Sequence, residues 1–420
     1  MTDDGKAFAE SDCTEHNHDE LGRAGRSRNA SKKMCLVATA PALLYMFNRL
    51  LIPELIQRGW NVTALTSRYQ PGFGSDDRFA ELQQMGLNML AVPISRNPSV
   101  LRDLWCFLRL WWFFLWHRFD VIHASNPKAM LLATLAAFFA FHPRRVITVR
   151  GRVYENSQGF KRRVFVWLDR LTCRCADRVI VVSHSLREAM LKDGIGRRET
   201  GAGALIVIAA GSSQGCDAMF FDRDKVSPRE IAEFKRTCHL GDKDRVILFA
   251  GRRRKDKGVC ELVRAFEQLS NNQPDWHLIL FGHEEKASDI GPSIRETIEN
   301  HPKIHAFDWT SDLRTAYAAA DIFVLPTWRE GFPNTVLEAS AMQVPVVTTT
   351  AVGAVDSVID GETGFLVPVN DETQLVAKLE TLIKSPELRA DMGRNGRNRV
   401  VTEFAPERIR DGILDVYDSL

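Results

Sequence analysis

The 420-residue chain carries 55 basic and 53 acidic side chains, a formal net charge of +2, and 45% of its residues are hydrophobic. So balanced a charge supplies no general attraction for nucleic acid, and any basic surface must be local. A chain of this length and apolar content buries more than one core, and about 150 residues per domain gives two as the starting expectation.

Residues 1–33 are polar, acidic first and basic later, with almost nothing apolar to bury, and are expected to be a disordered tail. His16 and His18 within it read as solvated rather than metal-ligating. Lys32 and Lys33 before "MCLVATAPALLYMF" imitate a secretory signal, but no small-residue cleavage site follows, so the run reads as a first core strand. Short apolar runs then alternate with helical patterns: "CLVATA", a helix over 43–58, "NVTALTS", a helix over 77–85, "NMLAVPI", a helix over 99–117, "DVIHAS", a helix over 128–141, "RVITV", a helix over 160–175 and "RVIVVS". Near-continuous apolar strands separated by helices predict a parallel sheet covered on both faces.

The glycine-rich stretch 194–215 reads as a linker with one short strand, "LIVIAA", inside it. The alternation then restarts with "RVILFAG", a helix over 259–269, "HLILFG", "IHAFD", a helix ending near Tyr317, "IFVLP", a helix over 335–342, "VPVVTT" and "GFLVPV", followed by helical patterns at 372–384, 386–400 and 406–420. The expected fold is α/β, two Rossmann-like doubly wound parallel-sheet domains facing across a cleft. The expected organisation is a tail over 1–33, an N-terminal domain over 34–215 on the acceptor side, a C-terminal domain over 216–400 on the donor side, and a last helix within 401–420 packing back on the N-terminal domain. Ligands of such folds bind beyond the carboxyl ends of the strands.

Eight cysteines show no C-x-x-C pair and no zinc-site spacing, which reads as reduced thiols in a cytoplasmic chain. The aromatic segment "VLRDLWCFLRLWWFFLWHRF" is interrupted by charges and does not span a bilayer. It reads as core with an exposed edge, or as a helix lying at a membrane surface, where Trp and Arg are favoured. Ten Lys and Arg lie between 144 and 178 against Glu155, Asp169 and Asp177. Part of that excess is a solvated face, and the rest suits an anionic lipid surface or a lipid diphosphate.

"FAGRRRKDKGVCELVRAF" sets Gly251, Arg252, Lys257 and Gly258 at a strand-to-helix junction. Free N–H groups of a helix start, with flanking cations, suit a phosphate, although the sequence is no Walker loop. "TWREGFPNTVLEAS" follows another strand and holds Glu330 in a loop and Glu338 in the next helix, with Asn334 and Thr335 able to offer their N–H groups to an anion. Two carboxylates beside a phosphate cradle suit a nucleotide sugar. "DRD" at 222–224 imitates a metal-binding pair within linker-like sequence and is read as chance, so no metal site and no obligatory divalent ion are expected.

"GRRRKDKG", "AADIFVLPTWREGFPNTVLEASAMQVPVV" and "VIDGETGFLVPVND" together resemble the retaining glycosyltransferases of family 4, which have the GT-B architecture. "DVIHASNPKA", "ITVRGRVYE", "ADRVIVVSHSLRE" and "AAGSSQGCD" extend the resemblance to residues 34–420, and these phrases look most like the branch that builds capsule, O-antigen and exopolysaccharide units on lipid carriers. The resemblance implies catalytic roles for Glu330, His123, Arg252 and Lys257. It also implies donor contacts from Arg252, Lys257, Glu330, Gly331, Phe332, Asn334, Thr335 and Glu338, with His123 facing the donor sugar across the cleft. The implied reaction moves a sugar, with retained configuration, from a nucleotide diphosphate (UDP by expectation) to a lipid-linked or saccharide acceptor. It needs no cofactor, and the enzyme would be cytoplasmic, with peripheral contact on the inner membrane face. Two departures stand out: the loop "TAPALLYMF" lacks the family's glycine pair, and Asp356 stands where the family commonly has Glu. A nucleotide-sugar epimerase of similar fold and a non-catalytic nucleotide-sugar-binding subunit remain alternative readings.

Overall fold

Each β-branched and aliphatic run forms a strand, and the computed structural model arranges thirteen of them in two parallel sheets. It describes residues 31–68, 77–95, 99–152, 154–155, 157–199, 201–284, 289–308, 310 and 312–420. Almost all of the expected disordered tail, with His16 and His18, lies outside the described residues. Lys32–Leu420 form one unit.

The first sheet contains β1 (Lys33–Val37), β2 (Asn61–Thr66), β3 (Asn88–Ala91), β4 (Val121–Ser125), β5 (Arg145–Val149), β6 (Arg178–Val181) and β7 (Ala204–Ile206), in the order β3-β2-β1-β4-β5-β6-β7. The second contains β8 (Arg245–Ala250), β9 (Trp276–Phe281), β10 (Ile304–Phe307), β11 (Ile322–Leu325), β12 (Val346–Thr349) and β13 (Gly364–Val367), in the order β10-β9-β8-β11-β12-β13. β4 and β11 are buried at every position, as strands covered on both faces must be. The order reverses between β1 and β4 in one sheet and between β8 and β11 in the other, so each domain opens a crevice at the carboxyl ends of those strands.

The helix expected over 43–58 is two helices, Pro41–Asn48 and Leu51–Gln57. Pro53 is the reason: it has no N–H to give to a carbonyl four residues back, so it sits in the first turn of a new helix, where that donor would be unpaired anyway. The strand expected over 205–210 shortens to Ala204–Ile206, because Ala209 and Gly211 take positive φ and turn the chain toward the second domain.

The chain crosses between domains twice. The crossings are tied where the Cys216 N–H donates to the Phe404 carbonyl at 2.9 Å. Helix Pro386–Glu403 leads into the second crossing, and helix Pro406–Asp418 then lies on the first sheet. Its Ile409, Ile413, Leu414, Val416 and Tyr417 share one core with Met34, Leu36, Ile52 and Trp60. Each buried side chain of this size contributes about 1.5–3 kcal/mol before the cost of ordering it. The seven described cysteines are buried free thiols.

Candidate active site

Three loops of the second domain build one wall. The loop after β8 brings Arg252, passes through Asp256 and Lys257, and ends at Gly258, which opens helix Val259–Ser270 with φ 73°. A Cβ at Gly258 would lie 1.9 Å from the Pro326 carbonyl oxygen, so only glycine lets the helix start this close to the end of β11. The loop after β11 is pinned to it: the Trp328 N–H and the Thr327 hydroxyl donate to the Asp256 carbonyl at 3.0 and 3.1 Å. The Arg329 guanidinium holds the Asp256 carboxylate at 3.0 and 3.2 Å. Burial pushes the Asp256 carboxyl up, but Arg254 and Arg329 outweigh it and bring it below the usual carboxylate range. The loop after β12 adds a third support, the Val352 carbonyl accepting from the Glu330 N–H at 3.1 Å.

This scaffold brings Arg252, Lys257, Glu330 and Gly331 into one cleft of about 280 Å³. Lys257 donates to the Glu330 carboxylate within it. The opposite wall belongs to the first domain: Asn126 and Pro127 after β4, and Arg150, Gly151, Arg152 and Glu155 after β5. The walls touch at Gly331, where an added Cβ would lie 2.0 Å from the Arg150 carbonyl oxygen.

Other residues singled out in the sequence lie elsewhere. His123 is buried in mid-β4 and does not line this cleft; its Nδ1 meets the Tyr417 hydroxyl at 2.5 Å and its Nε2 the Thr148 hydroxyl at 2.7 Å. Burial, with Arg150 nearby, pushes its pKa down to about 3, which keeps the ring neutral. Phe332 is buried between domains, its ring 5.3 Å from that of Phe404. Glu338 points away from Lys257 and accepts from the Tyr317 hydroxyl at 2.9 Å; burial raises its pKa, with the Tyr317 bond and Arg49 opposing. Asn334 and Thr335 begin helix Asn334–Ala341, with the Asn334 Oδ1 buried and unbonded. Asp222 of the "DRD" stretch caps the turn Arg223–Lys225 and pairs with Arg397 at 3.2 Å.

Asp356, the shorter carboxylate, has a task between domains: it accepts from the Ser185 N–H at 3.1 Å and from its hydroxyl. That caps the first turn of helix His184–Lys192, and the Gly353 N–H donates to the same Ser185 hydroxyl at 2.7 Å. The sequence does not place the first-domain wall in the cleft: Asn126 carries no signal of its own, and Arg150 enters only as one of the ten basic residues of 144–178. The available signal was position, since both residues directly follow a strand bordering or next to the switch point.

Two Rossmann-like lobes that share a cation-rich cleft at their switch points define the GT-B class of sugar-transferring enzyme. Models of two families match the chain, the glycosyl transferase 4-like domain over residues 47–200 and glycosyl transferases group 1 over residues 230–399. The chain is 31% identical to the capsular polysaccharide biosynthesis glycosyltransferase CapM of Staphylococcus aureus, over 78% of this chain and 84% of that one. It is 24% identical to the UDP-Gal:alpha-D-GlcNAc-diphosphoundecaprenol alpha-1,3-galactosyltransferase of Escherichia coli, over 77% and 81%. Among solved structures, Anabaena HepE in complex with UDP and glucose superposes with a TM-score of 0.74 at 21% identity, over 93% of this chain and all of that one. The chain belongs to the group 1 glycosyltransferases.

Proposed function

We propose that the protein is a retaining transferase that moves a hexose or N-acetylhexosamine from a nucleotide diphosphate, UDP by preference, to a lipid-linked acceptor in cell-surface polysaccharide synthesis. The observation that carries this reading is the convergence of Arg252, Lys257 and Glu330 on one cleft walled by the other domain. The bond from the anomeric carbon to the phosphate oxygen breaks, a bond to the acceptor oxygen forms, and the acceptor hydroxyl passes its proton to the departing diphosphate. Charge grows on the departing diphosphate, and Arg252 and Lys257 stabilise it where it develops. Glu330 pairs with Lys257; a bound diphosphate competes for that lysine and frees the carboxylate for sugar hydroxyls. With two cations on the leaving group, no divalent ion is required. Full activity in excess chelator is the expected result, and loss restored by manganese or magnesium would refute metal independence.

The acceptor class is supported by the E. coli relative, whose name gives a diphosphoundecaprenol-linked sugar as its acceptor, and by a surface of the first domain. Leu101, Leu104, Trp105, Leu108, Trp112 and Trp116 line one exposed face of helix Val100–Trp116 at helical spacing. Phe141 stands exposed at the end of helix Pro127–Phe139, which packs on it, and Phe160 and Trp167 stand exposed on helix Gly159–Cys175, which packs on Pro127–Phe139 in turn. Arg102, Arg109 and Lys161 add positive charge to the same helices. No helix among the described residues is long and apolar enough to cross a membrane. This face docks in the plane of an anionic leaflet, here taken as the inner face of the cytoplasmic membrane.

Radiolabelled UDP-sugars, incubated with the purified protein and a membrane lipid extract, test the reading. Label in the lipid phase is expected. Isomerised free donor means an epimerase, and binding without turnover means a non-catalytic subunit.

A further inference from the structure

The first-domain wall of the cleft contains a cation with no counter-charge. Lys257 holds Glu330, Arg329 holds Asp256, and Arg152 holds Glu155 and Asp193, the latter pairs at 2.6 and 3.0 Å. No carboxylate among the described residues pairs with Arg150. Its Nε and Nη1 are sealed from solvent without a hydrogen bond. Its guanidinium stacks on Phe47 at 3.9 Å, which fixes the plane of the fork but satisfies no N–H. Two buried N–H-bearing nitrogens left without an acceptor destabilise the site, and a ligand anion reaching them removes that cost.

Position indicates which anion. Arg150 follows β5, and its backbone carbonyl is what meets Gly331. The side chain turns to Phe47, and its charge is felt by His123 and Tyr417, so it lies at the carboxyl ends of β1 and β4, on the opposite wall from Arg252 and Lys257. A diphosphate seated on the second-domain helix starts takes Arg252 and Lys257, which leaves Arg150 for a second anion entering from the first domain. We propose that Arg150 is the recognition group for a phosphate of the acceptor, so that a sugar linked through phosphate to its carrier is preferred over the same sugar on an uncharged chain. The inference rests on the transferase reading above and deepens it. Burial also pushes the Arg150 guanidinium down to about 9, as an unpaired buried cation requires.

Two probes test the assignment. Short-chain hexosaminyl diphosphates serve as acceptors beside the matching alkyl hexosaminides, with wild type, Arg150→Gln and Arg150→Lys. Loss of a charge-assisted bond predicts an acceptor KM raised about 10- to 100-fold in Arg150→Gln for the diphosphate alone, with donor KM unchanged and partial recovery in Arg150→Lys. A rise in donor KM with acceptor KM unmoved, as a donor phosphate or an acidic donor sugar at Arg150 would give, overturns it. The second probe is inorganic pyrophosphate, titrated by tryptophan fluorescence with the donor site saturated by UDP. Binding to wild type and at least tenfold weaker binding to Arg150→Gln is expected. Equal binding, with both proteins folded by thermal unfolding, overturns the assignment even if no acceptor is turned over. Absence of transfer to every lipid, with the pyrophosphate difference intact, defeats the functional reading and leaves the anion site standing.

Discussion

Glu330 and Lys257 pair with each other, so replacing the glutamate has opposite effects on binding and on turnover. Glu330→Gln removes a competitor for the lysine, and UDP is expected to bind a few-fold tighter while kcat falls; calorimetry beside turnover assays checks both signs. Lys257→Ala is expected to lower kcat about 10²- to 10³-fold, as loss of a group aimed at developing charge does. His123 supplies a pH test. Its pKa is about 3 folded and near 6.5 unfolded, so between those values the unfolded chain binds the extra proton and stability rises with pH. Denaturant titrations from pH 3.5 to 6.5 are expected to give wild type a slope steeper than His123→Gln by up to about 1.4 kcal/mol per pH unit. Equal slopes would mean the ring is not buried neutral.

The elements themselves were plain in the sequence because parallel strands buried on both faces leave unbroken apolar runs. β8 and β11 also carry loops at their carboxyl ends, which is why the sequence sets Arg252, Lys257 and Glu330 on loops that the fold brings into one cleft. The same logic could not tell which way a side chain points from a strand or helix. Resemblance points His123 at the cleft, and spacing with resemblance points Glu338 there, whereas His123 bonds Thr148 and Tyr417 from inside β4 and Glu338 accepts from Tyr317 in the second turn of its helix. Arg150 is one of ten basic residues that the sequence divides only between a solvated face and a lipid or lipid-diphosphate contact, and the fold alone shows that its Nε and Nη1 have no hydrogen-bond partner among the described residues. At this scale the tight seam between loops is testable. Gly331→Ala sets a methyl against the Arg150 carbonyl and is expected to hold the walls apart, lowering kcat/KM more than tenfold. Because the clash is relieved by separating the lobes rather than by unfolding either, the thermal midpoint should shift by only a few degrees.

Across the whole molecule, the two lobes meet through the Asp356 cap on helix His184–Lys192 and through the twin crossing at Cys216 and Phe404. Asp356→Ala is expected to cost about 1 kcal/mol of stability, the usual worth of a cap, and to widen the cleft measurably by small-angle scattering. A variant that scatters like wild type would mean that other contacts set the spacing. Conversion of Trp112 and Trp116 to Glu is expected to abolish co-sedimentation with anionic liposomes at low salt while leaving turnover of a water-soluble acceptor intact.

The helix Pro406–Asp418 also sets an order of events during synthesis. The first sheet leaves the ribosome early, yet the residues that seal one of its faces, Ile409, Ile413 and Tyr417 among them, emerge only after the entire second lobe. Until then that sheet face and His123 lack their cover, so completion of this lobe waits on its neighbour.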